Sequence, residues 1–155
     1  MLWIDAGCYV KKSLDAHWDI IEKQGYYIQL NGWTSGDWTT DRCLEIMGVS
    51  REEAFKMPHA MANVMGFDFT NPICTECFDK WLDYSKNKEV FSGPWKNDKG
   101  SCSKDSRVLG HRHDQSVIGI LAAQMGLNFT DSVGKGLLSY GKDDKEGYVI
   151  IATGV

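Results

Sequence analysis

The sequence lacks any apolar run that approaches the roughly 18–20 residues needed to cross a bilayer, so no membrane span is expected. A signal peptide is also not expected, because the first residues, MLWIDAGCYVKK, are apolar only briefly and contain Asp5. Basic residues are in the minority, with 17 Lys and Arg against 21 Asp and Glu. A surface that binds nucleic-acid phosphates needs a basic face, so nucleic acid is not an expected partner.

The chain also lacks a disulfide framework. Its five cysteines are odd in number and irregularly spaced, which favours reduced thiols and a cytoplasmic protein. Cys74 and Cys77 have a spacing that can bind zinc or support redox chemistry. A zinc site would need further ligands, and Cys102, His111 and His113 are the candidates. The interpretation that we favour is two ordinary cysteines on one helix.

The composition predicts one globular domain over residues 1–155, with 43% hydrophobic and 25% charged residues. Apolar periodicity, capping residues and glycines predict alternating elements and therefore an α/β class. We expect Phe78, Trp81 and Leu82 on the buried side of one helix. The predicted elements are strands at 1–4, 26–30, 61–70 and 147–152, helices at 12–24, 40–47, 50–57, 71–85 and 113–124, and a long loop at 86–107.

The first segment of interest is Trp3-Ile4-Asp5-Ala6-Gly7. It predicts a buried strand that ends at a carboxylate, which is where α/β sheets place ligands. A divalent cation prefers such oxygen ligands. The alternative is a plain turn in which Asp5 caps the backbone. Because domains seldom begin inside a buried strand, we also expect sequence upstream and an uncovered sheet edge through which the chain self-associates.

The second segment, residues 110–116, contains His111, Arg112, His113 and Asp114 and leads into an apolar helix. The histidines can bind a metal ion or a phosphate, and Arg112 can pair with a phosphate. The alternative is a capped helix with solvated histidines.

A third segment, residues 33–40, holds Trp33 and Trp38 among small polar residues. It is suited either to stacking on a sugar or to pinning a loop on the core.

Together these segments resemble bacterial and viral glycosyltransferase-like proteins of the GT-A type, which transfer sugars from nucleotide-diphosphate sugars in the biosynthesis of capsules and other polysaccharides. The resemblance spans about residues 1–127, and the tail at 128–155 is not recognised. The residues that carry it are 2–7, Trp38-Thr39, Met61-Ala62-Asn63 through Gly66-Phe67, Trp81-Leu82 and above all His111-Arg112-His113-Asp114-Gln115-Ser116.

The resemblance implies a partial GT-A-like mixed sheet flanked by helices, which forms the metal- and acceptor-side half of the enzyme. It implies a nucleotide-sugar donor, a glycan or other acceptor, and a Mn²⁺ or Mg²⁺ cofactor. This chain has Gly7 where the family's metal motif has a second Asp, so other ligands would be needed. The implied roles are catalysis by Asp114 and Gln115, substrate binding by Asn63, Trp38 and Arg112, and metal binding by Asp5, His111 and His113.

Two other classes of protein remain open at this point. One is a non-catalytic module that keeps the aromatic cleft and binds a glycan or a protein. The other is a small zinc-stabilised domain that uses the cysteines and a histidine. Nucleotide-sugar hydrolysis would separate the enzyme from the module, and metal analysis would identify the zinc domain.

Overall fold

The structure is a computed structural model that describes residues 1–141 and 146–153. Strands and helices of these residues alternate irregularly, which confirms the α/β class. The strands are β1 (Leu2–Ile4), β2 (Cys8–Val10), β3 (Tyr26–Thr34), β4 (Pro58–Phe67), β5 (Leu138–Tyr140) and β6 (Ile150–Ala152); the helices are α1 (Asp15–Gln24), α2 (Asp41–Met47), α3 (Arg51–Ala54), α4 (Pro72–Ser85), α5 (Lys88–Phe91) and α6 (Asp114–Gln124), with a 3-10 turn at Asp98–Gly100.

The strands form two three-stranded sheets, whereas the sequence predicted one. The first has the order β1-β4-β3, and β1 runs antiparallel to β4 with Leu2 opposite Gly66. The second has the order β2-β6-β5, with β2 antiparallel and β5 parallel to β6. The second sheet was unexpected because its strands have three residues each, which is too few to show a period in the sequence.

The chain divides into two compact units. Unit 1 comprises Met1–Gln29, Ala62–Thr75 and Phe129–Val155. Unit 2 comprises Leu30–Met61 and Glu76–Asn128. Each unit has apolar side chains that are almost completely buried. In unit 1 these include Tyr27, Ile28, Val64, Phe67, Leu138, Ile150 and Ile151, and in unit 2 Leu44, Ala54, Val90, Val117, Ile118 and Ile120.

Local capping signals in the sequence correctly predicted several helix ends. Thr40 caps α2 by accepting a hydrogen bond from the Cys43 N–H. Ser50 and Glu53 form a complete capping box at α3. Gly25 and Gly48 follow α1 and α2 in the left-handed conformation that glycine adopts without strain. These signals are reliable because each depends on residues within one turn of the helix end.

Predictions that depended on burial were less accurate. The first strand is not buried: β1 lies at the edge of its sheet, and Trp3 is 55% exposed. Leu82 is 50% exposed, although its neighbours Phe78 and Trp81 are half-buried. The long loop predicted at 86–107 contains α5 and the 3-10 turn. The tail beyond residue 127 supplies β5 and β6, and residues 142–145 and 154–155 lie outside the described residues.

Candidate functional site

The residues predicted to form the site fall into two groups, one in each unit. Asp5 and Asn63 lie in unit 1, and the other six lie in unit 2. The unit 2 group is Trp38, His111, Arg112, His113, Asp114 and Gln115.

In unit 2, a tight turn after β3 presents Trp38. The carboxylate of Asp37 accepts hydrogen bonds from the Thr34 N–H at 2.7 Å and from the Thr34 hydroxyl at 2.6 Å. Gly36 packs against Phe55 so closely that a Cβ there would lie 2.5 Å from the ring. A larger residue at position 36 would therefore displace the turn. The segment predicted as a sugar platform or a loop anchor is thus fixed by its own small and polar residues.

The start of α6 is joined to this turn through Ser116. The buried Ser116 hydroxyl accepts a hydrogen bond from the Arg112 N–H at 2.9 Å and donates one to the Trp38 carbonyl. Between them, His113 adopts φ 49° and ψ -114°, a backbone conformation that costs a non-glycine residue about 1–3 kcal/mol. Its ring nitrogen Nε2 lies 2.9 Å from the Gly93 carbonyl oxygen. Strained backbone of this kind is concentrated at functional sites.

Arg112 lies between two indole rings. Its guanidinium carbon is 3.8 Å from the centre of the Trp38 ring and 4.6 Å from that of Trp95. One terminal nitrogen donates a hydrogen bond to the Trp95 carbonyl oxygen at 3.1 Å. The rings hold the planar cation in one orientation by cation–π attraction. Burial between them lowers the pKa of Arg112, yet arginine stays charged at any physiological pH.

Arg112 also differs from the other three arginines in having no carboxylate partner among the described residues. Arg42 pairs with Glu45 and Glu89, whereas Arg51 pairs with Asp41. Arg107 pairs with Glu52 and Asp105. The remaining N–H groups of Arg112 therefore stay available for an anion. We call Arg112, Trp38 and Trp95 the arginine cage.

The rim of the arginine cage is aromatic. Trp95 is 59% exposed, and its ring meets the His113 ring edge-on with 5.0 Å between centres. Trp33 is 50% exposed and packs edge-on against Trp38 with centres 6.0 Å apart. Exposed indoles beside a fixed cation are suited to binding a ring that carries or adjoins a negative charge.

Two histidines of unit 2 are completely buried. His111 accepts a hydrogen bond at Nδ1 from the Thr40 N–H at 3.4 Å, and its Nε2 has no partner among the described residues. Burial, and then the charge of His113, lowers the pKa of His111 to about 4, although the carbonyls of Val90 and Phe91 oppose the shift. His111 is therefore a neutral imidazole at neutral pH.

His59, in β4, is a second buried histidine, and neither of its ring nitrogens has a partner among the described residues. Burial, and then the charge of Arg112, lowers its pKa to about 3. Gly119 of α6 packs against β4 here, since a Cβ would lie 3.0 Å from the Ala60 nitrogen. Sequence reasoning missed His59, because a single histidine in a strand carries no motif.

Asp114 and Gln115 begin α6. The residue that precedes the helix is His113, so Asp114 is the first helical residue and not its cap. Gln115 donates a hydrogen bond from its side-chain amide to the Ala60 carbonyl oxygen at 3.2 Å. This bond gives Gln115 a structural role in unit 2. The catalytic roles of both residues stay predictions.

In unit 1, Asp5 directly follows β1 and lies opposite Asn63 of β4. The Asp5 N–H donates to the Asn63 carbonyl oxygen at 2.7 Å, which continues the register of the strand pair by one residue. The Trp3 indole donates to the Asp5 carboxylate at 3.1 Å. The Tyr140 hydroxyl donates to the side-chain oxygen of Asn63 at 2.6 Å. Asp5-Ala6-Gly7 is the turn through which the chain passes from the first sheet to the second.

The side chains predicted to bind a cation do not form a ligand cluster among the described residues. Within residues 1–141 and 146–153, no group of three or more His, Cys, Asp and Glu side chains is arranged to hold a metal ion. His111 is buried with Nδ1 engaged, and His113 points Nε2 at a carbonyl oxygen. Cys74, Cys77 and Cys102 are buried, and none of them forms a disulfide with another described residue. The cation stays a prediction.

Comparison with models of known protein families, with curated proteins and with solved structures found no match for this chain. The resemblance to GT-A glycosyltransferases therefore remains a hypothesis that rests on the sequence of this chain. None of the described helices is both long and apolar enough to cross a membrane.

Proposed function

We propose that this chain is the diphosphate- and acceptor-side part of a glycosyltransferase that transfers a sugar from a nucleotide-sugar donor to a glycan or another acceptor. The observation that carries the proposal is the arginine cage. Its Arg112 is the one arginine of the described chain that lacks a carboxylate partner, and two indoles hold it in place.

The chemistry of the cage fits the leaving group of such a reaction. Nucleoside diphosphate departs with additional negative charge, and a fixed guanidinium stabilises that charge through charge-assisted hydrogen bonds. The cage requires no reorganisation when charge develops, since the rings already orient the cation. His111 and His59 stay uncharged nearby because burial suppresses their protonation. Arg112, unlike these two histidines, carries a positive charge at any physiological pH.

The remaining predicted residues would act by positioning. Trp38 forms one wall of the cage, and Ser116 joins its loop to the backbone of Arg112. Asp114 follows immediately at the first position of α6. In the proposal it contacts the reacting sugar, as the resemblance implies. Holding reactants in order contributes much of the rate enhancement in such reactions.

Incubation with a panel of nucleotide sugars tests the proposal. We expect release of nucleoside diphosphate in the presence of an acceptor glycan, and loss of that release in Arg112→Gln. The matched control is Arg107→Gln, because Arg107 also lies over an aromatic ring, that of Phe55 at 4.1 Å, but is paired with carboxylates. Equal release of nucleoside diphosphate by both variants and the wild type would show that Arg112 has no role in the reaction.

A second candidate is a non-catalytic module that binds a glycan. The exposed indoles of Trp33 and Trp95 favour it, because such faces stack on sugar rings without any chemistry. Binding of an acidic oligosaccharide that is lost in Trp95→Ala, without turnover of any nucleotide sugar, would favour the module over the enzyme.

A further inference from the structure

We propose that Trp3, Asp5, Asn63 and Tyr140 of unit 1 form a binding site for two neighbouring hydroxyl groups of a sugar ring, which bind Asp5 and Asn63 directly and not through a metal ion. The inference rests on the proposed function only in taking a sugar as the ligand. Trp3 and Tyr140 were not among the site residues that the sequence predicted.

The register of the first sheet brings the hydrogen-bonding groups together. Ile4 pairs with Val64, so the next residues, Asp5 and Asn63, are opposite each other. Directly opposite residues of an antiparallel pair project from the same face, with their Cβ atoms about 5 Å apart. This separation is close to the spacing that lets one carboxylate and one carboxamide bind adjacent hydroxyl groups of a single ring.

Tyr140 fixes which way the amide of Asn63 faces. Its hydroxyl donates to Oδ1, so the amide nitrogen Nδ2 is turned away from the phenol. Nδ2 donates to no described residue. Burial, and then the nearby charges of Cys8 and Asp5, raises the pKa of Tyr140, so the phenol keeps the proton that it donates. Tyr140 is thus a positioning residue for Asn63.

Asp5 offers the complementary acceptor. Trp3 donates to Oδ1, and Oδ2 receives no hydrogen bond from a described residue. The site therefore presents an acceptor at Asp5 beside a donor at Asn63, and a hydroxyl group both donates and accepts. Trp3 is 55% exposed, so its indole is open to the apolar C–H face of a sugar ring.

A direct sugar site accounts for the observations better than a cation site. A Mg²⁺ or Mn²⁺ ion needs several oxygen ligands, and an indole N–H or an amide N–H cannot supply one. Both groups instead suit the donor and acceptor pattern of hydroxyls. A glycine stands where a second metal-binding carboxylate would be needed, at position 7.

The test is a titration of the protein with methyl glycosides of glucose, galactose and mannose, followed by NMR at the Asn63 side-chain amide and the Trp3 indole N–H. We expect both signals to shift with at least one glycoside, equally with and without EDTA. Removal of a ring hydroxyl from that glycoside should abolish the shift. Absence of a shift with all three sugars, or a shift that requires added Mn²⁺, would overturn the proposal.

Two variants separate binding from folding. Asn63→Asp keeps the acceptor for Tyr140 but removes the amide donor, so it should abolish sugar binding without unfolding the protein. Tyr140→Phe should weaken binding about two- to tenfold, as expected for one neutral hydrogen bond. Tyr9→Phe is the control, since Tyr9 lies in β2 of the same unit and its hydroxyl makes no hydrogen bond with described residues. Binding by Asn63→Asp equal to the wild type would overturn the proposal.

Titration with UDP in the same samples keeps the two proposals apart. Binding of UDP without any response to glycosides would contradict the sugar site at Asp5 and Asn63 but not the proposed function. A response to glycosides without UDP binding supports the sugar site and excludes a UDP-sugar as the donor.

Discussion

The Ser116 hydroxyl donates a hydrogen bond to the carbonyl oxygen of Trp38, 78 residues earlier in the sequence. Because the same hydroxyl accepts from the Arg112 N–H, one buried serine sets both the position of the arginine and one wall of its cage. The arginine cage is therefore assembled by a buried polar contact and not by the motif alone.

Replacing Ser116 with Ala should lower the free energy of unfolding by about 1–3 kcal/mol, because the change removes two buried hydrogen bonds and leaves the Arg112 N–H only its 3.3 Å bond to the Trp38 carbonyl oxygen. It should also weaken binding of UDP by loosening the arginine cage. Ser132→Ala is the matched control, since Ser132 of unit 1 is also buried and accepts or donates a 2.7 Å hydrogen bond with Tyr27. Urea denaturation and UDP titration of both variants check the prediction. If UDP affinity fell equally in both, Ser116 would have no particular role in the site.

The strained backbone at His113 predicts an unusual order of stability. With the ring removed in both variants, His113→Gly should be more stable than His113→Ala by about 1–3 kcal/mol, because glycine relieves the strain. The exposed helical residue Asp79 in α4 should show the opposite order, with Ala more stable than Gly by up to about 1 kcal/mol. Thermal denaturation measures both pairs. The same order at the two positions would contradict the backbone conformation of His113.

The buried histidines predict that stability falls in acid. Burial lowers the pKa of His59 to about 3 and that of His111 to about 4, whereas an unfolded histidine titrates near 6.5. The unfolded chain thus binds more protons below pH 6.5, and stability is lost as pH falls from there towards the folded pKa values. Each histidine contributes a slope of up to about 1.4 kcal/mol per pH unit. Urea denaturation between pH 7 and pH 5 should show this slope, and His59→Gln should reduce it. An unchanged slope in that variant would argue against a buried neutral His59.

Asp114 permits a test that separates chemistry from helix stability. Asp114→Asn should abolish sugar transfer but change the free energy of unfolding by less than about 1 kcal/mol, since it removes one negative charge at a helix start. His113 and not Asp114 is the capping residue, so a capping contribution at position 114 does not complicate the comparison. Transfer rates and thermal denaturation of the variant check both parts. Sugar transfer by Asp114→Asn at the wild-type rate would contradict a catalytic role for Asp114.

The exposed edge predicts self-association. β1 pairs with β4 on one side, and Trp3 on this edge strand is largely exposed. We expect light scattering to detect a dimer that grows with protein concentration, and we expect Trp3→Lys to reduce it, because charged edge residues oppose strand pairing. A wild-type protein that stays monomeric at high concentration would refute this expectation.

The sequence predicted local structure better than the site. Residues within one helical turn of each other define the capping box at Ser50 and the end of α1 at Gly25, so both could be predicted. The segment from His111 to Ser116 was correctly predicted to lead into a helix, which begins at Asp114. The cage wall Trp95 and the partner of Asn63, Tyr140, were not predicted, because their contacts span 17 and 77 residues. Such contacts depend on how distant loops and strands are brought together by the fold.

Calorimetry of UDP binding to the wild type, Arg112→Gln and Arg107→Gln tests whether Arg112 binds a diphosphate. We expect the wild type and Arg107→Gln to bind UDP equally well, and Arg112→Gln to bind it about 10- to 100-fold more weakly, as expected for a lost charged hydrogen bond. Equal affinity of all three proteins for UDP, or no binding of UDP by the wild type, would contradict a diphosphate site at Arg112.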